Sequence, residues 1–339
     1  MTTTNLNATT HLTSLSGLKL IAVIGILACH TSLIPAFDAC ARMVEVLFVI
    51  SGFLMAYNYQ NKETKDFTAI SLLKRKLKKL FPIHLITFLL QLFFVGYWAE
   101  KTLNFKFTIG ILNLSFMHAW FKSTEFSFNN VSWFLSALLF CYIITPTLKS
   151  VLKKHSPLLI FTLITSTRFY LEYTINTEPR SISLDLHCNP FIQSLNYSLG
   201  YIVGTFFTST NELNTMFKEK LKFFEHSLLE ILTYTLYILC CIKLDSFYRI
   251  FFILLALPLV YLSAHNQGLI SKFLSLPFIQ KSSTLTLELF MFHSFILYHF
   301  PTDKNNPLTY LTFMLLTIAV SLIYRLITTQ ILKKQTPKA

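Results

Sequence analysis

The sequence predicts an all-α, polytopic membrane protein of about ten transmembrane helices with both termini in the cytoplasm. Three observations carry this. Of 339 residues, 53% are hydrophobic and only 13% are charged, about half the charged fraction of an ordinary soluble domain. The apolar residues fall in runs of roughly 18 to 22, long enough to cross a hydrocarbon core about 30 Å thick. The cations are also unevenly placed. With a cytoplasmic N-terminus, the segments 60–79, 149–156, 209–226, 265–283 and the C-terminal tail hold 18 of the 29 Lys and Arg, and the outer segments hold six. That asymmetry is the positive-inside pattern.

The spans follow in order. The first is 15–35, an apolar run bracketed by Lys19 and His30 and closed at Ile34-Pro35. After a short outer turn, the second occupies 42–59 and carries the small pair Ser51-Gly52. A basic loop, 60–79, contains the cluster KRKLKK from Lys74 to Lys79, which is both an orientation signal and a candidate anchor for anionic headgroups. The third span is 80–98. Residues 106–120 are too short and too polar to cross and read as a re-entrant or interfacial helix. The remaining spans are 131–148, 157–173, 191–208, 227–243, 247–264, 284–300 and 308–330. No residual segment is large enough for a soluble catalytic domain, so 1–339 reads as one transmembrane domain.

Composition excludes other classes. The net charge of +13 is explained by the sidedness of the loops, so no nucleic-acid partner is expected. The N-terminus lacks the basic region of a secretory signal, and the first span reads as retained. The six Cys show neither CxxC nor zinc spacing, and no metal is expected. Cys40 and Cys188 both fall on the outer side and are the candidate disulfide pair.

Lys19 and His30 are the first chemical signal. Eleven helical residues rise about 16 Å and complete almost three turns, so both side chains share one stripe. Each has an ordinary explanation: a lysine that snorkels to the interface, and a buried, hydrogen-bonded histidine. Ionisable groups inside a span are nevertheless functional candidates. Glu45 lies a few residues inside the outer boundary of span 2, at a depth similar to that of His30. A carboxylate that orients an imidazole is the usual support of a general base.

Six motifs occur in order along nearly the whole chain. They are LSGLKLIAVIGILACH with Lys19 and His30; VEVLFVISGFLM with Glu45, Ser51 and Gly52; the basic run ending KKLFP with Lys76, Lys79 and Pro82; WFLSALLFCYIITP with Trp133 and Ser136; HCNPFIQSLNYSLGYIVG; and STLTLELFMFHSFI with His293. In these the chain resembles the acyltransferase-3 family of bacterial membrane acyltransferases. It departs from the pattern at Leu138, where many members carry Glu, and at Gln193 and Asn196, where many carry Arg and Glu.

The resemblance implies an O-acyltransferase of the bacterial cytoplasmic (inner) membrane. It would move an acyl group, usually acetyl, from acyl-CoA to a hydroxyl of an extracytoplasmic or lipid-linked glycan, such as the O-antigen of lipopolysaccharide or an exopolysaccharide. Acetyl-CoA would be a donor substrate, with no permanently bound cofactor. Its phosphates would dock on Lys19, Lys76 and Lys79, and its thioester would reach His30. His30 is then the catalytic candidate, as general base or as transient acyl carrier, with Glu45 as its partner. Ser51, Trp133, Ser136 and His293 are candidates for substrate contact; Ser51 also suits close helix packing, Trp133 an interfacial belt, and His293 a buried core. The rival class is a polysaccharide or lipid-linked sugar exporter. Such transporters often show paired, Gly- or Pro-broken helices in matching halves, and this chain has only eight Gly. Acceptor identity and oligomeric state are left open.

Overall fold

The computed structural model describes residues 12–31, 40–59, 67–96, 101–178, 184–209, 212–243, 249–303 and 305–335. Among them the regular structure is helical, apart from one isolated bridge between Asp303 and Asn306. In chain order the helices are α1 (Thr13–Thr31), α2 (Met43–Tyr59), α3 (Ala69–Phe94), α4 (Leu103–Leu114), α5 (Trp133–Lys154), α6 (Pro157–Thr177) and α7 (Pro190–Phe207). A short α-helical turn, Glu212–Thr215, and a π-helical turn, Met216–Lys220, follow, then α8 (Phe223–Lys243), α9 (Arg249–His265), α10 (Leu269–Leu274), α11 (Pro277–Ser283), α12 (Thr286–His299) and α13 (Pro307–Gln335).

Each of the ten predicted spans overlaps one of these helices over its described residues. Among the described residues, six segments rather than ten are long and apolar enough to cross a membrane: Thr13–Thr31, Cys40–Tyr59, Ala69–Phe94, Asn130–Lys154, Phe223–Lys243 and Pro307–Ile331. At 12 residues, α4 is too short to cross, in line with the re-entrant reading. The predicted end of span 1 at Ile34-Pro35 and the N-terminal segment 1–11 lie outside the described residues.

One boundary needs correction. Residues 69–79 are not loop: α3 begins at Ala69 and carries the whole basic cluster. Thr68 and Ser71 cap it reciprocally, each side chain accepting from the other's backbone N–H, a capping box. Lys, Arg and Leu are good helix formers, so the helix runs through charges that a hydropathy window scores as loop. Cys40 and Cys188 are both free thiols, so the candidate disulfide is not formed.

The packing centres on α2, whose residues enter both hydrophobic clusters. Leu47, Phe48, Met55 and Ala56 pack with residues of α1, α3, α5 and α12. Val46, Val49, Ile50 and Phe53 pack with α7, α8 and α9. Against α7 the backbones nearly touch: a Cβ on Gly52 would overlap the carbonyl oxygen of Tyr197, and one on Gly200 that of Val49. Small residues permit such approach between membrane helices. By contrast α6, α8 and α13 expose Leu158, Leu163, Phe224, Leu228, Leu308 and Leu326, apolar belts suited to lipid.

A polar chain ties the α4 segment to the bundle. His84 Nε2 donates to Asn113 O at 3.0 Å, and Asn113 Nδ2 donates to Ser127 O at 2.8 Å. Ser132 bonds His118 at 3.0 Å, and Asn129 Nδ2 donates to Met291 O at 2.9 Å. Buried polar groups need such partners, and here they tie residues 113–132 to α3 and α12.

Candidate active site

Two cavities lie along α1, one near each end. The first, about 300 Å³, is at the end that bears the basic cluster. Lys19 of α1 and Lys76 and Lys79 of α3 line it, together with Ser51, Leu138 and Tyr142. The Lys76 ammonium sits 4.5 Å from the centre of the Tyr142 ring, a cation–π contact that holds it at the wall. None of the lining residues is a carboxylate. Three ammonium groups around one small space repel each other, and an anion bound among them would relieve that repulsion.

The second cavity, about 470 Å³, is at the other end. His30, Gln91, Asn130, His293, Ser294 and Tyr298 are among its lining residues. The His30 ring is exposed to it, and the His293 ring centre lies 5.2 Å away. The tautomer of His293 follows from its contacts. A carbonyl oxygen only accepts, so the 2.7 Å contact from Nδ1 to Phe290 O puts the proton on Nδ1. Nε2 is left with a lone pair, buried and unpartnered. Ser294 donates to Asn130 Oδ1 and holds the amide at the rim.

Between Lys19 and His30, α1 carries buried apolar residues. Ile26 and Leu27 of α1 are buried. The Phe134 and Phe290 rings lie 5.1 Å apart, and Phe48 stands 4.8 Å from Phe134. Phe134 and Phe290 line the lysine cavity, while His293, one turn beyond Phe290 on α12, lines the other.

The predicted site residues divide. Lys19, Lys76, Lys79 and Ser51 come together in one cavity, and His30 and His293 in the other. Three others lie elsewhere. Glu45 is buried with Oε1 at 3.5 Å from Arg42 Nη1, and its Oε2 has no partner. Among the described residues no hydrogen bond links it to His30; the cation one turn back on the same chain holds it instead. Trp133 is 4% exposed, packed 6.4 Å from Phe48 and 4.6 Å from His187, outside both cavity linings. Ser136 is buried and donates to Phe116 O, which secures the 115–132 segment.

The departures from the family pattern also have places. Leu138 adds an apolar wall to the lysine cavity. Asn196 donates to Gln193 at 2.8 Å, and Gln193 donates to His187 O at 2.6 Å. The amide pair thus sets the loop that carries His187. Burial, then the charges of Arg249 and Arg42, keep His187 well below the usual imidazole range, with His30 a further contributor. Gln91, Asn130, Tyr142 and His187 were not singled out from sequence. Tyr142 lies in the WFLSALLFCYIITP motif, and His187 opens the HCNP motif; Gln91 and Asn130 carry no sequence signal.

Outside both linings, donor atoms of Glu125, Asp185 and Cys188 lie within 4.8 Å of one another. Asp185 Oδ1 accepts the backbone N–H of His187 and of Cys188, which turns the loop. Arg168 and Glu172 pair at 2.6 Å and Arg325 and Glu288 at 3.3 Å. Glu172 also accepts from Ile250 N at 3.3 Å, which ties α6 to the start of α9.

Apolar crossing helices around two internal polar cavities define a multi-pass membrane protein whose chemistry would lie inside the bundle. The chain belongs to the acyltransferase-3 family: the family's acyltransferase domain matches residues 12–326. It is also similar to acyltransferase MdmB of Streptomyces mycarofaciens, 27% identical over 160 residues. That stretch covers 42% of this chain and 40% of the relative, so the match spans about two fifths of the relative's length. No solved structure matches the chain.

Proposed function

We propose that the protein transfers an acyl group, acetyl by preference, from cytoplasmic acyl-CoA to a hydroxyl of a glycan or lipid-linked sugar on the far side of the membrane. One observation carries the reading: a lysine-lined cavity and an imidazole-lined cavity lie on the same helix, with Lys19 and His30 about 16 Å apart along it. The donor's phosphates occupy the lysine cavity. Its pantetheine arm runs along α1 and brings the thioester to His30. The acceptor enters the second cavity, where Gln91, Asn130 and Ser294 offer amide and hydroxyl groups to a sugar. As the sugar oxygen attacks the thioester carbonyl, His30 takes the hydroxyl proton. The C–S bond breaks, and the CoA thiolate leaves with the electron pair. General-base help of this kind contributes about 10²–10⁴ in rate. In this reading both termini face the cytoplasm and the membrane is the bacterial inner membrane.

The test is a surface-glycan assay. The gene is deleted in its host and restored as wild type or as His30→Ala, with equal membrane levels checked. Base-labile esters on lipopolysaccharide and other surface glycans are then quantified by NMR. Wild type restores an ester and His30→Ala does not. If ester content never changes while the amount of surface glycan does, the exporter reading replaces this one. If His30→Ala restores the ester fully, His30 is not the base.

A further inference from the structure

The two imidazoles of the second cavity have unequal surroundings. His293 is buried and held still: its Nδ1 donates to Phe290 O at 2.7 Å, and its ring packs 5.8 Å from that of Phe290. Donation from Nδ1 leaves Nε2 as an acceptor, and that atom is buried without a hydrogen-bond partner. A buried acceptor with no donor is costly and uncommon. His30 is placed to supply the donor. Its ring centre lies 5.2 Å from that of His293, with 34° between the ring planes. An N–H···N bond of about 2.9 Å along the line of centres puts two imidazole centres about 5 Å apart, so the separation already suits the bond. The His30 side chain is exposed, and the torsion that turns an imidazole is broad, so a turn of that ring closes the bond and moves no backbone. The carboxylate expected to support His30 is engaged elsewhere, since Arg42 holds Glu45 at 3.5 Å.

We infer that His293 is the positioning residue of His30: its Nε2 accepts an N–H from the His30 ring and so selects the tautomer whose other nitrogen, unprotonated, faces the cavity. The inference rests on the reading proposed above and adds to it the group that orients the base. A general base is ordinarily oriented by a third group, most often a carboxylate. Here a neutral imidazole takes that place, and no second ion has to be buried beside the base, which would itself be costly. When His30 takes the hydroxyl proton, the lone pair on His293 Nε2 stabilises the imidazolium through the same bond. His293 stays neutral throughout, because its own proton remains on Nδ1 against Phe290 O. The bonds made and broken are those of the transfer: C–O forms, C–S breaks, and the hydroxyl proton passes to His30 and then to the departing thiolate. His293 acts only through His30, so its loss should slow the chemistry and leave attachment of the donor as it was.

The experiment uses the full chain in lipid nanodiscs, with acetyl-CoA as donor and surface glycan extracted from the host as acceptor, and follows thiol release. Two neutral amides separate the roles of the two His293 nitrogens. The amide of His293→Asn reaches the place of Nδ1 and can keep the bond to Phe290 O, but it puts no atom at the place of Nε2. His293→Gln is one methylene longer and brings an acceptor oxygen there. His293→Asn should lower kcat by about 10- to 100-fold, a part of the 10²–10⁴ that a general base contributes, with KM for acetyl-CoA little moved. His293→Gln should recover most of that loss. Thermal melting identifies any variant that has lost its fold, and His293→Leu, which also lacks the acceptor, then stands in for His293→Asn. If the folded variant without an acceptor keeps the wild-type kcat, or if folded His293→Gln falls as far as it does, His293 does not position His30 and the acyltransferase reading stands. If wild type releases no thiol above the His30→Ala background, the reading itself fails and this inference with it.

Discussion

At the scale of single residues, His30 and His293 differ in what their nitrogens are free to do. The Nε2 of His293 is buried, whereas His30 is exposed and lines the cavity; that accessibility is why the proposed reading gives the role of base to His30. Glu125 offers a separate test, outside the crossing helices. Burial, and after it the charge of Asp185, raise its carboxyl from 4.5 to about 7, with Lys122 opposing. The folded chain therefore holds that proton more tightly than the unfolded chain does. Stability from this group is full below about pH 4.5 and is lost as pH rises towards 7. Glu125→Gln removes the dependence. Between pH 5 and pH 8 the melting temperature of wild type should fall more than that of Glu125→Gln, and the variant should be the more stable at pH 8. Equal slopes would mean that Glu125 is not protonated in the folded protein.

At the scale of elements, the α2–α7 pair is the tightest joint in the bundle. A methyl group on Gly52 has no room because its neighbour is backbone, which cannot rotate aside. Gly52→Ala should destabilise by about 1–3 kcal/mol or more, visible as a lower melting temperature and reduced membrane yield. An unchanged melting temperature would show that the helices part readily. This joint was legible in the sequence as the Ser51-Gly52 pair, and the ten hydropathy segments all fall on helices. The start of α3 was not legible, because Lys74 to Lys79 hide helical structure from a hydropathy window. Nor was the fate of Glu45. Position along α2 does not give the direction of a side chain, and Arg42 was a nearer partner. The approach of His293 to His30 joins helices from opposite ends of the chain. The sequence supplied both histidines as motif members and nothing about their distance.

At the scale of the whole molecule, the proposed reading separates recognition of the donor from chemistry on its acyl group. The lysines lie at the basic end and the imidazoles at the other, with packed rings between. Removing charge at one end should therefore weaken donor attachment without disabling the chemistry. Lys76→Ala combined with Lys79→Ala should raise KM for acetyl-CoA roughly tenfold to a hundredfold or more, with about the range for losing one hydrogen bond to a charged group as the lower bound. It should leave kcat nearly unchanged, because the lost contacts are the same in the bound and transition states. Acetyl-pantetheine, which carries the thioester without the nucleotide phosphates, supplies the control. Wild type should bind it at least as poorly as the double variant, which keeps Lys19, binds acetyl-CoA, and the double substitution should not weaken it further. His30→Ala should show the reverse, with kcat lost for both donors and KM little moved. If the lysine variant loses acetyl-CoA and acetyl-pantetheine equally, the lysines serve the fold and not the phosphates, and the donor would have to enter by another route.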